Sequence, residues 1–86
     1  MQSIIEVIIL AIGFVLINTT PGKENDVRMA LDKIPEVTKR WMLFGEHDLI
    51  ARLQTDEEFD LTRVIVESVR PIEGIVDTKT LIGAEI

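Results

Sequence analysis

Phe44-Gly45-Glu46-His47-Asp48-Leu49 separates two stretches in which apolar and polar residues alternate, and its glycine-containing centre is too short to hold anything but a hairpin turn. Before it, Val37 to Phe44 interleaves Lys39, Trp41 and Leu43 with Thr38, Arg40, Met42 and Phe44. After it, Asp48 to Gln54 sets Leu49, Ala51 and Leu53 on one face against Ile50, Arg52 and Gln54 on the other. A period of two marks a strand with two unlike faces. Gly45 to His47 therefore joins two antiparallel strands in the middle of the fold.

Outward from this hairpin the period changes. On the N-terminal side Val27, Ala30, Leu31 and Ile34 recur at i, i+3, i+4 and i+7, while Glu24, Asn25, Arg28, Asp32 and Lys33 face away, which is a one-sided amphipathic helix. Thr20-Pro21-Gly22 offers a cap residue and a proline suited to a first helical turn, so the helix is expected to start there, and Pro35 stops it. Ala11 to Thr19 reads as a strand. On the C-terminal side Thr55-Asp56-Glu57-Glu58 has the spacing of a capping box. Leu61, Ile65 and Val69 with Phe59, Thr62 and Val66 form the expected apolar side of a second helix, ended by Pro71. Ile75 to Ile86 closes the chain as a β-branched strand.

Strand, helix, strand is thus written twice, a split βαβ duplication of the α+β class. Right-handed crossovers put both helices on one face of a four-stranded antiparallel sheet and leave the other face bare. The first strand is apolar on both sides, Phe14 and Leu16 facing one way, Val15 and Ile17 the other. Exposed aliphatics would each cost about 1.5 to 3 kcal/mol, so a second subunit is expected to cover the open face.

Length and composition bound the rest. A chain of 86 residues makes one domain whose core supplies on the order of 3 to 5 kcal/mol, which again favours self-association. Nine Lys and Arg against fifteen Asp and Glu give a net charge of −6 and no positive face for phosphates, so no direct nucleic-acid contact is expected. Cysteine is absent, which removes disulfides, thiolate metal sites and thiol catalysis. The apolar run Ile4 to Ile17 is 14 residues long and carries Glu6. That falls short of the roughly 20 residues a membrane-spanning helix needs. No positive segment precedes it as in a signal peptide, so a cytoplasmic protein without a membrane partner is expected. Residues 1–10 lie outside the duplication as an N-terminal extension or a dimer-pairing strand, and 11–86 form the domain.

Few side chains suggest chemistry. Gly45 serves either the close approach of turn amides to a ligand or simply a positive φ. Asp48 is placed to accept a ligand ammonium or to cap its own turn. His47, the single histidine, reads as an exposed turn residue, since a metal site would need further carboxylates from another subunit. Thr78 and Thr80 share a strand face with Val76 and Ile82, either lining a pocket or as ordinary strand residues. Glu57 and Glu58 suit the acidic first turn of a helix. Trp41 suits an interface or a sheet cover. No nucleophile with a nearby base, glycine-rich phosphate loop or isolated carboxylate pair is present, and neither an enzyme nor a cofactor is expected.

The Gly45-x-x-Asp48 turn, the Gly74-Ile75-Val76-x-Thr78-x-Thr80 entry to the last strand and the βαββαβ order together resemble the effector-binding (RAM) domain of the leucine-responsive/AsnC transcriptional regulators, from about Phe14 to Ile86. The resemblance implies a ferredoxin-like fold that dimerises through its sheets, assembles into rings of dimers and binds an amino-acid effector between dimers. It implies effector contacts from Gly45, Glu46, His47 and Asp48 in the turn, and from Thr80, Leu81 and Ile82 after the threonine motif, with Glu58 a weaker candidate. The family commonly has an aromatic residue where His47 stands. A helix-turn-helix half usually precedes this domain and is not seen here. The expectation is therefore a stand-alone homo-oligomeric module that acts through a full-length DNA-binding relative. A small dimeric ferredoxin-like enzyme and an assembly-only structural module are the alternatives.

Overall fold

The computed structural model describes residues 10–83. Its elements run β1 (Ala11–Thr19), α1 (Glu24–Leu31), β2 (Val37–Met42), β3 (Leu49–Thr55), α2 (Glu58–Val64), a five-residue π-helical continuation of α2 (Ile65–Val69), and β4 (Ile75–Ile82). The sheet has the order β2-β3-β1-β4 with every pairing antiparallel, so the βαββαβ reading and the ferredoxin-like fold hold. The proposed extension falls outside the described residues except for Leu10, which is exposed and precedes β1.

Alternation decides what each strand buries. Val15 and Ile17 of β1 and Leu49, Ala51 and Leu53 of β3 have no exposed surface and meet Val27 and Leu31 of α1 and Leu61, Val64, Ile65 and Val69 of the second helical segment. Gly13 lies under Leu61, where an added Cβ would stand 3.1 Å from the leucine Cδ2. Its lack of a side chain lets α2 sit close to the sheet. The alternate residues point away from both helices. Strand register sets Phe14 beside Leu81 and Arg52, Leu16 beside Ile50 and Lys79, and Trp41 beside Ile50. Trp41 and Leu81 are exposed, and Ile12, Phe14, Leu16 and Ile50 are half-buried.

Several boundaries differ from the sequence reading, each for a local reason. The first helix starts at Glu24 rather than at Thr20-Pro21-Gly22. Those residues close a turn in which the Lys23 amide donates to the Thr20 carbonyl at 2.9 Å, with Gly22 at φ +87°. Proline followed by a positive-φ glycine is the pairing a type II turn requires, and it outcompetes the helix start. β2 stops at Met42 instead of Phe44, so the connection to β3 is a loop from Leu43 to Asp48 rather than a tight turn; its ends meet where the Leu43 amide donates to the Asp48 carbonyl at 2.9 Å. β3 runs Leu49–Thr55, one residue later than expected at each end.

No side chain caps α2. The Thr55 hydroxyl donates to the Glu57 carbonyl at 2.6 Å, and Glu57 takes the N-cap position. Phe59, Thr62 and Val66 face solvent, with Phe59 75% exposed; Leu61, Val64, Ile65 and Val69 form the buried side. The buried positions follow i, i+3, i+4 and i+8 from Leu61, a stripe that leaves Phe59, Thr62 and Val66 on the opposite side. The Arg70 amide reaches back five residues to the Ile65 carbonyl at 2.9 Å, marking the change of winding. β4 is described as far as Ile82, and the expected continuation beyond Gly83 lies outside the described residues. Among the described residues no helix is long and apolar enough to cross a membrane.

Candidate functional site

The Leu43–Asp48 loop is held to the end of β1 by five hydrogen bonds. The Asp48 amide donates to the Ile17 carbonyl at 2.9 Å, and its carboxylate accepts from the Thr19 amide at 2.8 Å and the Thr19 hydroxyl at 3.3 Å. His47 Nδ1 sits 2.7 Å from Asn18 Oδ1, and Asn18 Nδ2 donates to the Glu46 carbonyl at 2.8 Å. Asp48 thus caps the neighbouring strand rather than its own turn. His47 is half-buried against Asn18, which corrects the expectation of an exposed histidine. A charged acceptor on a strand-end amide is among the stronger hydrogen bonds, so Asp48 both shapes the loop and fixes it to the sheet.

These contacts turn the loop tip outward. Phe44 is fully exposed, and Gly45 has φ +139° with nothing within 4 Å of where a Cβ would stand. Backbone conformation, not crowding, is what selects glycine at this position. Beside the tip lies an open cleft of about 470 Å³ lined by Gly22, Glu24, Asn25, Met42, Leu43, Phe44 and Asp48. One wall is the start of α1 and the other is the loop, so the β1–α1 turn and the β2–β3 connection meet at one end of the sheet. Asn18 and Thr19, which carry the latch, and Glu24 and Asn25, which line the cleft, were not among the sequence candidates. The only sequence signal for the first two was the switch from aliphatic to polar residues at the end of β1.

The remaining candidates lie elsewhere in the protomer. Ile82 pairs with Gly13, Leu81 with Phe14 and Thr80 with Val15, several residues back along β1 from the Ile17 that receives the loop. Four residues of strand separate Ile17 from Gly13, roughly 13 Å at 3.3 Å per residue. Glu58 begins α2 beyond Thr55, which pairs with Ala11 at the far end of the sheet. Leu81 shares the open face with Phe14, whereas Thr80 is turned toward the helices. The Thr80 hydroxyl oxygen is buried and finds no partner. One protomer therefore brings Gly45, Glu46, His47 and Asp48 together but not Glu58, Thr80, Leu81 or Ile82 with them. Among the described residues no group of three or more His, Cys, Asp or Glu is arranged to hold a metal ion.

A split βαβ sheet with one covered face, one open face and a latched hairpin loop beside a cleft is the frame of a ferredoxin-like ligand-binding module. The chain belongs to the Lrp/AsnC ligand-binding domain family, whose model matches residues 12–85. It is 32% identical over 71 residues to an uncharacterised helix-turn-helix transcriptional regulator of Pyrococcus abyssi, covering 83% of this chain and 45% of the regulator. The chain thus spans about half the length of the curated relatives it matches. Among solved structures, a hypothetical protein of Pyrococcus horikoshii is 36% identical with a TM-score of 0.82, over 88% of this chain and 92% of that one. A transcriptional regulator of Neisseria meningitidis solved as its L-methionine complex shares the fold at a TM-score of 0.73 and 18% identity, over 87% of this chain and 50% of that one.

Proposed function

We propose that this domain senses a small amino acid and converts its presence into a change of assembly that a DNA-binding regulator reads. The observation that carries the reading is the Asp48–Thr19 and His47–Asn18 latch, which holds loop amides and Phe44 in a fixed position at the edge of an open cleft. A preformed loop of this kind binds without first losing conformational entropy. Membership of a ligand-binding family supports it, as does the L-methionine held by a distant neighbour of the same fold.

Because Thr80, Leu81, Ile82 and Glu58 lie away from the loop, they join the site only where two copies meet, with the loop of one beside β4 and α2 of another. Ligand binding is then linked to assembly, since a molecule that bridges two copies favours whichever oligomer completes its pocket. The open sheet face supplies the dimer and the loop end supplies the contact between dimers. The module works in the cytoplasm, carries no catalytic role, and leaves DNA contact to its partner. A thermal-shift panel of the twenty amino acids tests this, because a ligand bound only by the native assembly raises Tm by mass action. A selective rise with one or two amino acids is the expected result; no rise at millimolar concentration would overturn the sensor reading in favour of an assembly-only module.

A further inference from the structure

We infer that the cleft beside the loop takes an amino acid whose side chain ends in a cation, with Glu24 as the residue that selects it. The inference rests on the amino-acid reading of the same cleft and adds the class of side chain. Two carboxylates line this cleft, Glu24 at the start of α1 and Asp48 at the end of the loop, and no lysine or arginine joins them among the described residues. Three other described clefts are neutralised from within: Arg40 stands 2.9 Å from Asp32 in one, Lys23 3.6 Å from Asp26 in the second and Arg63 3.7 Å from Asp60 in the third. A positive group entering the cleft beside the loop competes with no resident cation.

The two carboxylates are differently committed. Asp48 gives one oxygen, Oδ2, to the Thr19 amide and hydroxyl, and keeps Oδ1 to receive an ammonium. Glu24 is half-buried, and its carboxylate has neither an ion-pair partner nor a side-chain hydrogen bond among the described residues. Arg28, one turn along α1, donates its Nε–H to Asn25 Oδ1 at 3.3 Å instead, which leaves the Asn25 amide nitrogen as a donor for a ligand carboxylate. Met42, Leu43 and Phe44 complete the lining with apolar surface. A methylene stem packs on such a surface while its charged end stays at a carboxylate. An α-amino acid brings one ammonium and one carboxylate of its own. A second ammonium answers the second cleft carboxylate in a charge-assisted hydrogen bond, whereas a neutral side chain displaces water from Glu24 and returns nothing. An acidic side chain sets a further negative charge beside the two already there, and like charges so placed are strongly disfavoured.

Isothermal titration calorimetry with ornithine, norvaline and glutamate tests this, because the first two share a side-chain carbon skeleton and differ by the terminal ammonium. The wild type is expected to bind ornithine at least about tenfold tighter than norvaline and glutamate weakest of all, with the advantage of ornithine shrinking at high salt. Glu24→Gln is expected to bring ornithine to within about twofold of norvaline, and Glu24→Lys to place glutamate above ornithine. Circular dichroism checks both folds, and a loss of stability alone would not reverse the order of ligands. Norvaline as tight as ornithine in the wild type would overturn the cationic class while leaving the amino-acid reading in place. An ornithine preference that survives both substitutions would overturn Glu24 as the selector. No binding of any of the three, with no Tm rise across the twenty amino acids, would overturn the amino-acid reading and this inference with it.

Discussion

The two faces of β1 and β3 are made from alternate residues of the same strands, yet they do opposite work. Toward the helices, Val15, Ile17, Leu49, Ala51 and Leu53 have no solvent-exposed surface, and Arg40 at the edge of that layer is ion-paired with Asp32. Toward solvent, Phe14, Leu16 and Ile50 remain half-buried, Trp41 is 44% exposed, and Arg52 and its neighbours hold no carboxylate among the described residues. The first face is satisfied within one chain and the second is not. Folding energy therefore resides on one side of the sheet, association is proposed for the other, and substitutions on the two sides separate the two properties.

The largest effect falls on the covered face. Leu53→Ala removes a side chain packed on every side and is expected to cost about 2 to 5 kcal/mol of unfolding free energy. Ile50→Ala, three residues earlier and on the open face, should cost about 1 kcal/mol or less under conditions that keep the chain monomeric. Urea unfolding of dilute protein measures both; equal losses would show that the open face is already buried in the single chain and would end the distinction.

The latch comes next. Asp48→Ala leaves the Thr19 amide and hydroxyl without their acceptor and is expected to destabilise by about 1 to 3 kcal/mol, whereas Asp48→Asn keeps one acceptor oxygen and should lose about 1 kcal/mol. If the loop is the sensing element, Asp48→Ala also abolishes the Tm rise with whichever amino acid stabilises the wild type, and Asp48→Asn retains part of it. A full response in Asp48→Ala, measured after matching stabilities by temperature, would remove the loop from the site.

How much of this was legible beforehand follows the same division. Strand parity in Val15/Ile17 and Leu49/Ala51/Leu53 could be read directly, because a period of two leaves no choice of face once one side is aliphatic. The strand-helix order followed from the change of period. What could not be read was wherever one backbone option beat another at close odds. Thr20-Pro21-Gly22 suits a turn as well as a helix start, and Phe59 and Val66, apolar yet roughly opposite Leu61 at 100° per residue, offer a second apolar stripe that leaves the buried side of α2 open to more than one choice. The Asp48 contact escaped because its partner, Thr19, lies on β1, and only pairing of β1 with β3 brings the two together.

Association should respond where stability does not. Trp41→Ser truncates the largest exposed side chain of the open face and is expected to weaken self-association about tenfold, equivalent to about 1.4 kcal/mol, while the monomer's unfolding midpoint stays within experimental scatter. Sedimentation equilibrium over a range of concentrations measures the first and dilute thermal unfolding the second. An unchanged association constant would point to the helix side, where Met29, Phe59 and Val66 are exposed.

The smallest effect sharpens the contrast between a paired and an unpaired cation. The Arg40 guanidinium donates to both carboxylate oxygens of Asp32, at 2.9 and 3.2 Å, and that hydrogen bond outweighs the opposing desolvation and, with the charges of Arg40 and Arg28, holds the Asp32 carboxyl below its ordinary range. A carboxyl whose value is depressed in the folded state contributes stability above its unfolded value and loses it as pH falls through the folded one. The contribution is therefore complete at neutral pH and disappears only in acid, below about pH 4, where Asp in an unfolded chain protonates. Arg40 is pushed above its already high value by the same contact and stays charged throughout. NMR titration of the Asp32 carboxyl should show it rising toward the ordinary range in Arg40→Lys, because an ammonium keeps the charge but not the two-pronged hydrogen bond that dominates the shift. Arg52→Gln should move no carboxyl titration in the monomer, since among the described residues Arg52 holds only Thr38 and Gln54. A carboxyl that did respond would be an ion-pair partner of Arg52, and the contrast between a paired and an unpaired cation would go with it.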